Sequence, residues 1–267
     1  MTIFLLFLFV LFSFATASAV LCPRCVEKGT ISYFSEDSAL SSGSCAYGSM
    51  ALDFNDGYVA AAGSSFYNDG AGCGGCYKMR CKDKALCRSQ GTTVIVTDQI
   101  TNSNNTDFVL SRKAYMALAK KGMEKQLLKH RAVDVEYKRY PCDFFNNKNL
   151  SLRVEESSRY PDYLAVKVLY QGGQTKILHI IISPESSLSG ISLERNRSAV
   201  WAVHLDSPFG QSWINFAVIK GTETWYISTP NDFPTDWKPG MIFDSGLQIN
   251  EFRLEACSVP RCPKENW

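Results

Sequence analysis

A charge imbalance is lacking in this sequence of 267 residues: 28 Lys and Arg against 26 Asp and Glu leave a net charge of +2. With no Lys/Arg-rich run to track a phosphate backbone, nucleic acid is not an expected partner. Histidine is scarcer still. His130, His179 and His204 stand far apart in the chain, and each reads better as a surface or satisfied core residue than as a ligand. The pairs "CPRC" (Cys22 to Cys25) and "CGGC" (Cys73 to Cys76) have the look of zinc half-sites, but they are too far apart for a zinc ribbon. No metal and no cofactor is expected. A membrane span is missing as well. The apolar run "IFLLFLFVLFSF" at residues 3–14 is too short to cross a bilayer and leads into the small residues "ATASA". That is the pattern of a secretory signal peptide, here residues 1–19, cleaved near Ala17 or Ala19. The mature chain is therefore expected to be exported and soluble, with no membrane partner.

Cysteine is plentiful by contrast, with ten residues, and in an exported chain that number points to disulfides. Eight fall between Cys22 and Cys142, none between Asp143 and Ala256, and two at Cys257 and Cys262. So abrupt a shift divides the chain into a first domain, 20–147, and a second, 148–250, followed by a tail, 251–267, with the junction near "DFFNNKN". In the first domain "TTVIVTD" and "VDVEYKRYPC" alternate β-branched residues as strands do, and "SRKAYMALAKK" between them reads as a short helix. Ser111 is placed to cap that helix, Ala114, Tyr115 and Leu118 give it one apolar face, and Gly122 can end it. The remainder is rich in Gly, Ser, Asn and Asp, as suits a disulfide-stapled barrel whose loops carry the surface. The second domain alternates apolar and polar residues in short runs such as "YLAVKVLYQ", "KILHIIIS", "AVWAVHL" and "WINFAVIK", separated by turn signals, which is the pattern of a β-sandwich. The sequons at Asn104, Asn149 and Asn196 mark a glycosylated surface. A monomer is the default expectation.

The motifs "CAYGSM", "YNDGAGCGGCYKMRC", "VIVTD" and "YPC", in that order and followed by the sandwich pattern, closely resemble those of plant expansins, and among them the expansin-like A group. The resemblance covers almost all of the mature chain. It implies an all-β protein: a six-stranded double-psi β-barrel similar to family 45 endoglucanases, then an immunoglobulin-like β-sandwich that binds carbohydrate. It also implies secretion to the plant cell wall, with cellulose, xyloglucan or a related glucan as partner. The family's disulfides, carried onto this chain, are Cys45–Cys73, Cys76–Cys142 and Cys81–Cys87; Cys22, Cys25, Cys257 and Cys262 are left in unassigned pairs.

Hydrolysis of a glycosidic bond normally takes two carboxyl groups, one to protonate the leaving oxygen and one to activate water or attack the sugar. The resemblance places the early part of such a site at Ser32-Tyr33-Phe34-Ser35, where there is no carboxylate, and the acid of the later motif at Val109. Asp98 remains, matching an aspartate of the family's groove. With Tyr33, Phe34 and Tyr77 it is a candidate to line a polysaccharide cleft; the alternatives are a strand end that bonds turn amides, and barrel core for Tyr33 and Phe34. Asp107 is a weak candidate for a relocated acid, since two residues along a strand move a side chain about 6–7 Å. Sugar binding itself needs only aromatic faces. Tyr160, Tyr163 and Trp201 match the family's platform positions, while Trp213 and Trp225 are expected as core. Three functions follow as expectations: a wall protein that loosens polysaccharide contacts without hydrolysis, a residual glycosidase or lytic enzyme using Asp98, and a wall-binding or signalling module with no loosening activity.

Overall fold

The computed structural model describes residues 25–35, 41–101, 105–145, 147–220 and 223–249. The expected signal peptide, Cys22, Cys257, Cys262 and Asn104 lie outside them.

Six strands come first: β1 (Glu27–Tyr33), β2 (Val59–Ala62), β3 (Cys76–Cys81), β4 (Thr92–Gln99), β5 (Phe108–Leu110) and β6 (Ala132–Tyr140). They close into a barrel in the order β1-β5-β2-β4-β3-β6. Two of the pairings, β1 with β5 and β2 with β4, are parallel and the other four antiparallel. Closure removes open edges, and alternation along each strand sends every second side chain inward. The interior is therefore built from Ile31, Val59, Met79, Val94, Val96, Phe108, Leu110 and Val135, all fully buried. The helix expected after Ser111 is present as Arg112–Met116. The Ser111 hydroxyl accepts from the Ala114 amide at 3.2 Å, Ala114, Tyr115 and Leu118 are buried, and Gly122 turns the chain at φ +87°.

Three disulfides staple this half: Cys45–Cys73, Cys76–Cys142 and Cys81–Cys87. Cys73 and Cys76 are thus taken up by separate bridges, which removes the zinc half-site reading of "CGGC". Cys25 is disulfide-bonded too.

Eight further strands follow: β7 (Ser151–Val154), β8 (Tyr163–Leu169), β9 (Ile177–Pro184), β10 (Ile191–Arg195), β11 (Val200–His204), β12 (Ser212–Lys220), β13 (Glu223–Phe233) and β14 (Ile242–Asp244). Their order is β13-β12-β9-β10-β11-β8-β7-β14. β10 makes the corner between two layers. Its first residues, Ile191 to Leu193, pair with β9, and its last, Glu194 and Arg195, pair with β11. Leu152, Val166, Ile180, Ile182, Ile214, Phe216 and Phe233 fill the space between the layers.

The two halves meet through the turn after β10. The Ala199 amide donates to the Cys45 carbonyl at 3.3 Å, the Tyr67 hydroxyl donates to the Ser44 carbonyl at 3.0 Å and contacts that of Arg197, and Arg195 Nη1 donates to the Gly70 carbonyl at 3.1 Å. Gly70 has to be glycine. Its φ is +85°, and a Cβ there would stand 2.3 Å from the Ser198 nitrogen.

Candidate functional site

Strand register brings the candidate groove residues into one row. β1 pairs Ser32 with Val109, β5 pairs Val109 with Ala61, and β2 pairs Ala61 with Asp98. The row across the barrel wall is therefore Ser32, Val109, Ala61, Asp98. A register shift between Ala60 and Ala61 sets Asp98, rather than Thr97, beside Ala61, the kind of re-aiming a bulge produces. Phe108 and Leu110 are fully buried, so the half-buried Val109 between them faces away from the barrel interior. Two strand spacings separate Asp98 from Val109, roughly 9–10 Å. Of these two side chains only Asp98 carries a carboxyl group.

The Asp98 carboxylate is held by the backbone. Its Oδ1 accepts from the Ser44 amide at 2.6 Å and from the Gln99 amide at 2.7 Å. Gly43 allows the loop that close, since a Cβ there would meet the Thr97 carbonyl at 2.4 Å. Tyr67 lies near enough for its phenol to be pushed above its ordinary value, first by burial and then by the Asp98 and Asp69 charges. Asp98 thus fits the turn-bonding role expected of a strand-end aspartate, at the rim where the barrel meets the second half.

Asp107 is directed toward β1. Its Oδ2 accepts from the Thr30 amide at 2.9 Å, and a Cβ on Gly29 would meet that oxygen at 2.3 Å. Burial, and then the Asp107 charge, raise the Tyr137 phenol above its usual range. Asp107 also borders a cavity of about 410 Å³ with Gly63, Phe66 and Thr101.

The aromatic candidates separate. Tyr77 is not a cleft residue: it is buried among Phe66, Phe108 and Tyr137, with ring centroids 4.9–6.4 Å apart, because β3 alternation points it inward with Met79. Tyr33 is half-buried, its ring 4.7 Å from Tyr115 and its hydroxyl donating to the Leu128 carbonyl at 2.8 Å; Phe34 is half-buried beside it. Trp201 is not a surface ring either. It is 2% exposed, and Arg195 lies over its inner face at 4.1 Å, since on β11 it shares parity with the core residue Val203. Trp225, expected as core, is 43% exposed on the edge strand β13, and Trp213 is half-buried. Trp237 fills the core instead.

Tyr160 and Tyr163 remain. Tyr160 is 54% exposed and packs edge-on against Trp237 at 5.2 Å. Tyr163 pairs across β8 and β11 with His204, their rings 4.8 Å apart. The next position along the same face is Ala165 opposite Ala202, then Lys167 opposite Val200. Lys167 binds Glu155 at 3.0 Å, and Arg153 bridges Glu155 and Glu156. The face therefore runs from two tyrosines and a histidine, over a floor of alanines, to a charged network. His204 was not singled out from the sequence, although the alternation of "AVWAVHL" places it on the face opposite Trp201.

Among the described residues no three His, Cys, Asp or Glu side chains are grouped to hold a metal ion, and no helix is long and apolar enough to cross a membrane. Of the sequons, Asn196 is exposed and Asn149 half-buried.

Two family models match the chain: a lytic transglycolase model over residues 59–137 and an expansin C-terminal domain model over residues 150–231. Expansin-like A3 of Arabidopsis thaliana is 46% identical over 258 residues, covering 96% of this chain and 97% of that protein. Expansin-like A2 of the same plant is 46% identical, covering 99% and 98%. Among solved structures, an aspartate-to-asparagine mutant of the Clavibacter michiganensis expansin in complex with cellohexaose has a TM-score of 0.59 at 19% identity, covering 82% of this chain and 95% of that one.

Proposed function

The chain belongs to the expansin family, in its expansin-like A group, and from that membership we propose that it is a secreted cell-wall protein that binds cellulose or a matrix glucan and weakens contacts between polysaccharides without hydrolysis. The observation that carries the non-hydrolytic part is the row Ser32, Val109, Ala61, Asp98. One carboxylate on that row, already accepting two backbone amides, leaves no partner to share acid and base work. Binding is assigned to the face bearing Tyr160 and Tyr163, whose rings can stack on the apolar sides of glucan residues without a titrating group. The cellohexaose held by the bacterial expansin supports a linear glucan as ligand. Asp98, at the junction of the two halves, is a rim residue that shapes the groove.

The test has two arms. In the first, the protein is incubated with cellulose, xyloglucan and β-glucan and reducing ends are counted. None above background is expected; release that disappears in Asp98→Asn overturns the non-hydrolytic reading. In the second, the Tyr160→Ala/Tyr163→Ala double variant is pulled down on cellulose. Retention is expected to fall about tenfold, the loss of two stacked rings at roughly 0.5–1.5 kcal/mol each. Undiminished retention removes the platform from this face.

A further inference from the structure

The barrel has another face, formed by β3, β4 and β6, that the groove does not use. Register there puts Lys78 directly opposite Lys138 on one side and opposite Thr93 on the other. Like charges set directly across a sheet oppose its pairing. Burial, followed by the charges of Lys78 and Arg80, pushes the Lys138 ammonium below its ordinary value. One row along, Glu136 stands in register between Arg80 on β3 and Lys28 on β1. Next to the lysine pair is a cavity of about 520 Å³ whose wall includes Lys78, Arg88, Gln90, Asn55 and Thr93. The one carboxylate in that wall, Asp56, is engaged by Lys113 at 2.6 Å. The cavity is therefore rimmed by cations and furnished with amide and hydroxyl groups.

We propose that this face is a binding site for an acidic polysaccharide, in which uronate carboxylates are held by Lys78, Lys138 and Arg88 while Gln90 and Thr93 meet the sugar hydroxyls. Ammonium and guanidinium groups on carboxylates form the strong, charge-assisted class of hydrogen bond. A flat row along neighbouring strands, with about 4.8 Å between strands, suits charges repeated along a chain better than one compact anion. Single-stranded nucleic acid fits less well. It binds by stacking bases on open rings, and here the rings of Tyr140 and Tyr58 are covered by Lys78 at 5.1 Å and Lys113 at 5.3 Å. The site rests on the glycan-binding reading above only for the class of polymer; it shares no residue with the Tyr160 and Tyr163 face.

The experiment measures retention of the full-length protein on immobilised polygalacturonate and on cellulose, at low and high salt, for the parent, for Lys78→Gln/Lys138→Gln, for Arg88→Gln and for Tyr160→Ala/Tyr163→Ala. The parent is expected to bind polygalacturonate with a strength that falls as salt rises. The double lysine variant is expected to lose at least tenfold on polygalacturonate and Arg88→Gln severalfold, and neither to change on cellulose, which also shows that each variant is folded. The tyrosine variant should show the reverse, so failure of either reading is seen separately. Polygalacturonate binding that is insensitive to the lysine and arginine changes overturns the site. So does an equal affinity for single-stranded DNA at the same ionic strength, which would make the face a general polyanion surface.

Discussion

Asp98 anchors the rim of the barrel. One oxygen takes the amides of Ser44 and Gln99, so the side chain ties the rim loop to the end of β4. Hydrogen bonds to a charged acceptor contribute more than neutral ones, and amides stripped of their acceptor cost more still. Asp98→Ala is therefore expected to lower the free energy of unfolding by about 1–3 kcal/mol, read from the urea midpoint. Asp98→Asn keeps an acceptor oxygen and should lose less than half of that. Equal loss of stability in the two variants would mean that the accepted amides do not carry the effect. Val109, two strands from Asp98 on the same row, carries an isopropyl group, and Asp107 is turned to the Thr30 amide. Neither fact depends on the surroundings being unusual; both follow from which atom each side chain can reach.

At the scale of elements, the short helix Arg112–Met116 shows how little sequence is needed when local rules agree. Ser111 caps it through Ala114 and also donates to the Gly57 carbonyl at 2.7 Å, joining the helix to the turn before β2. Ser111→Ala removes the cap and leaves the half-buried Gly57 carbonyl without its donor. A loss of about 2 kcal/mol is expected, measured by chemical denaturation, and Ser111→Thr should recover most of it. The strands of the second half were equally legible where apolar and polar residues alternate, as in β8, β9 and β12. β7 and β10 were not. β7 is a four-residue strand, and β10 changes partner midway, so neither carries an alternation long enough to stand out. The tryptophans were placed by resemblance, Trp201 on the family's platform and Trp225 in the core, and alternation on β11 and β13 gives two faces without saying which is inward.

On the whole-molecule scale, what joins the barrel to the sandwich is a polar seam. Arg195 lies over Trp201 and reaches the carbonyls of Gly70 and Ile177, and burial lowers its guanidinium to about 10. Tyr47, pushed well above its ordinary value by burial, lies close by. Gly70 sits where this seam is tightest. Gly70→Ala places a methyl group against the Ser198 nitrogen at a left-handed backbone position that costs an L-residue roughly 1–2 kcal/mol before any contact is counted. The expected outcome is faster limited proteolysis in the segment between β6 and β7, with the disulfides intact. Cleavage at the parent rate would mean that the halves are held together elsewhere. Because Asp98, Ser44 and Tyr67 all belong to this seam, the variant should also weaken glucan binding that spans both halves while leaving the polygalacturonate face unchanged.

The sequence by itself determined the all-β class, the two cysteine environments and the capped helix, because periodicity, spacing and capping are local properties that residues carry wherever the chain goes. Through its motifs it also determined the family and, with it, the three disulfide pairs. Tertiary structure alone decided which rings are exposed, that Asp98 and Val109 stand on one row across four strands, that Tyr77 belongs to the interior, and that Lys78 faces Lys138. Each of these depends on strand register and on which face of a strand meets the core, and register is fixed by partners distant in sequence.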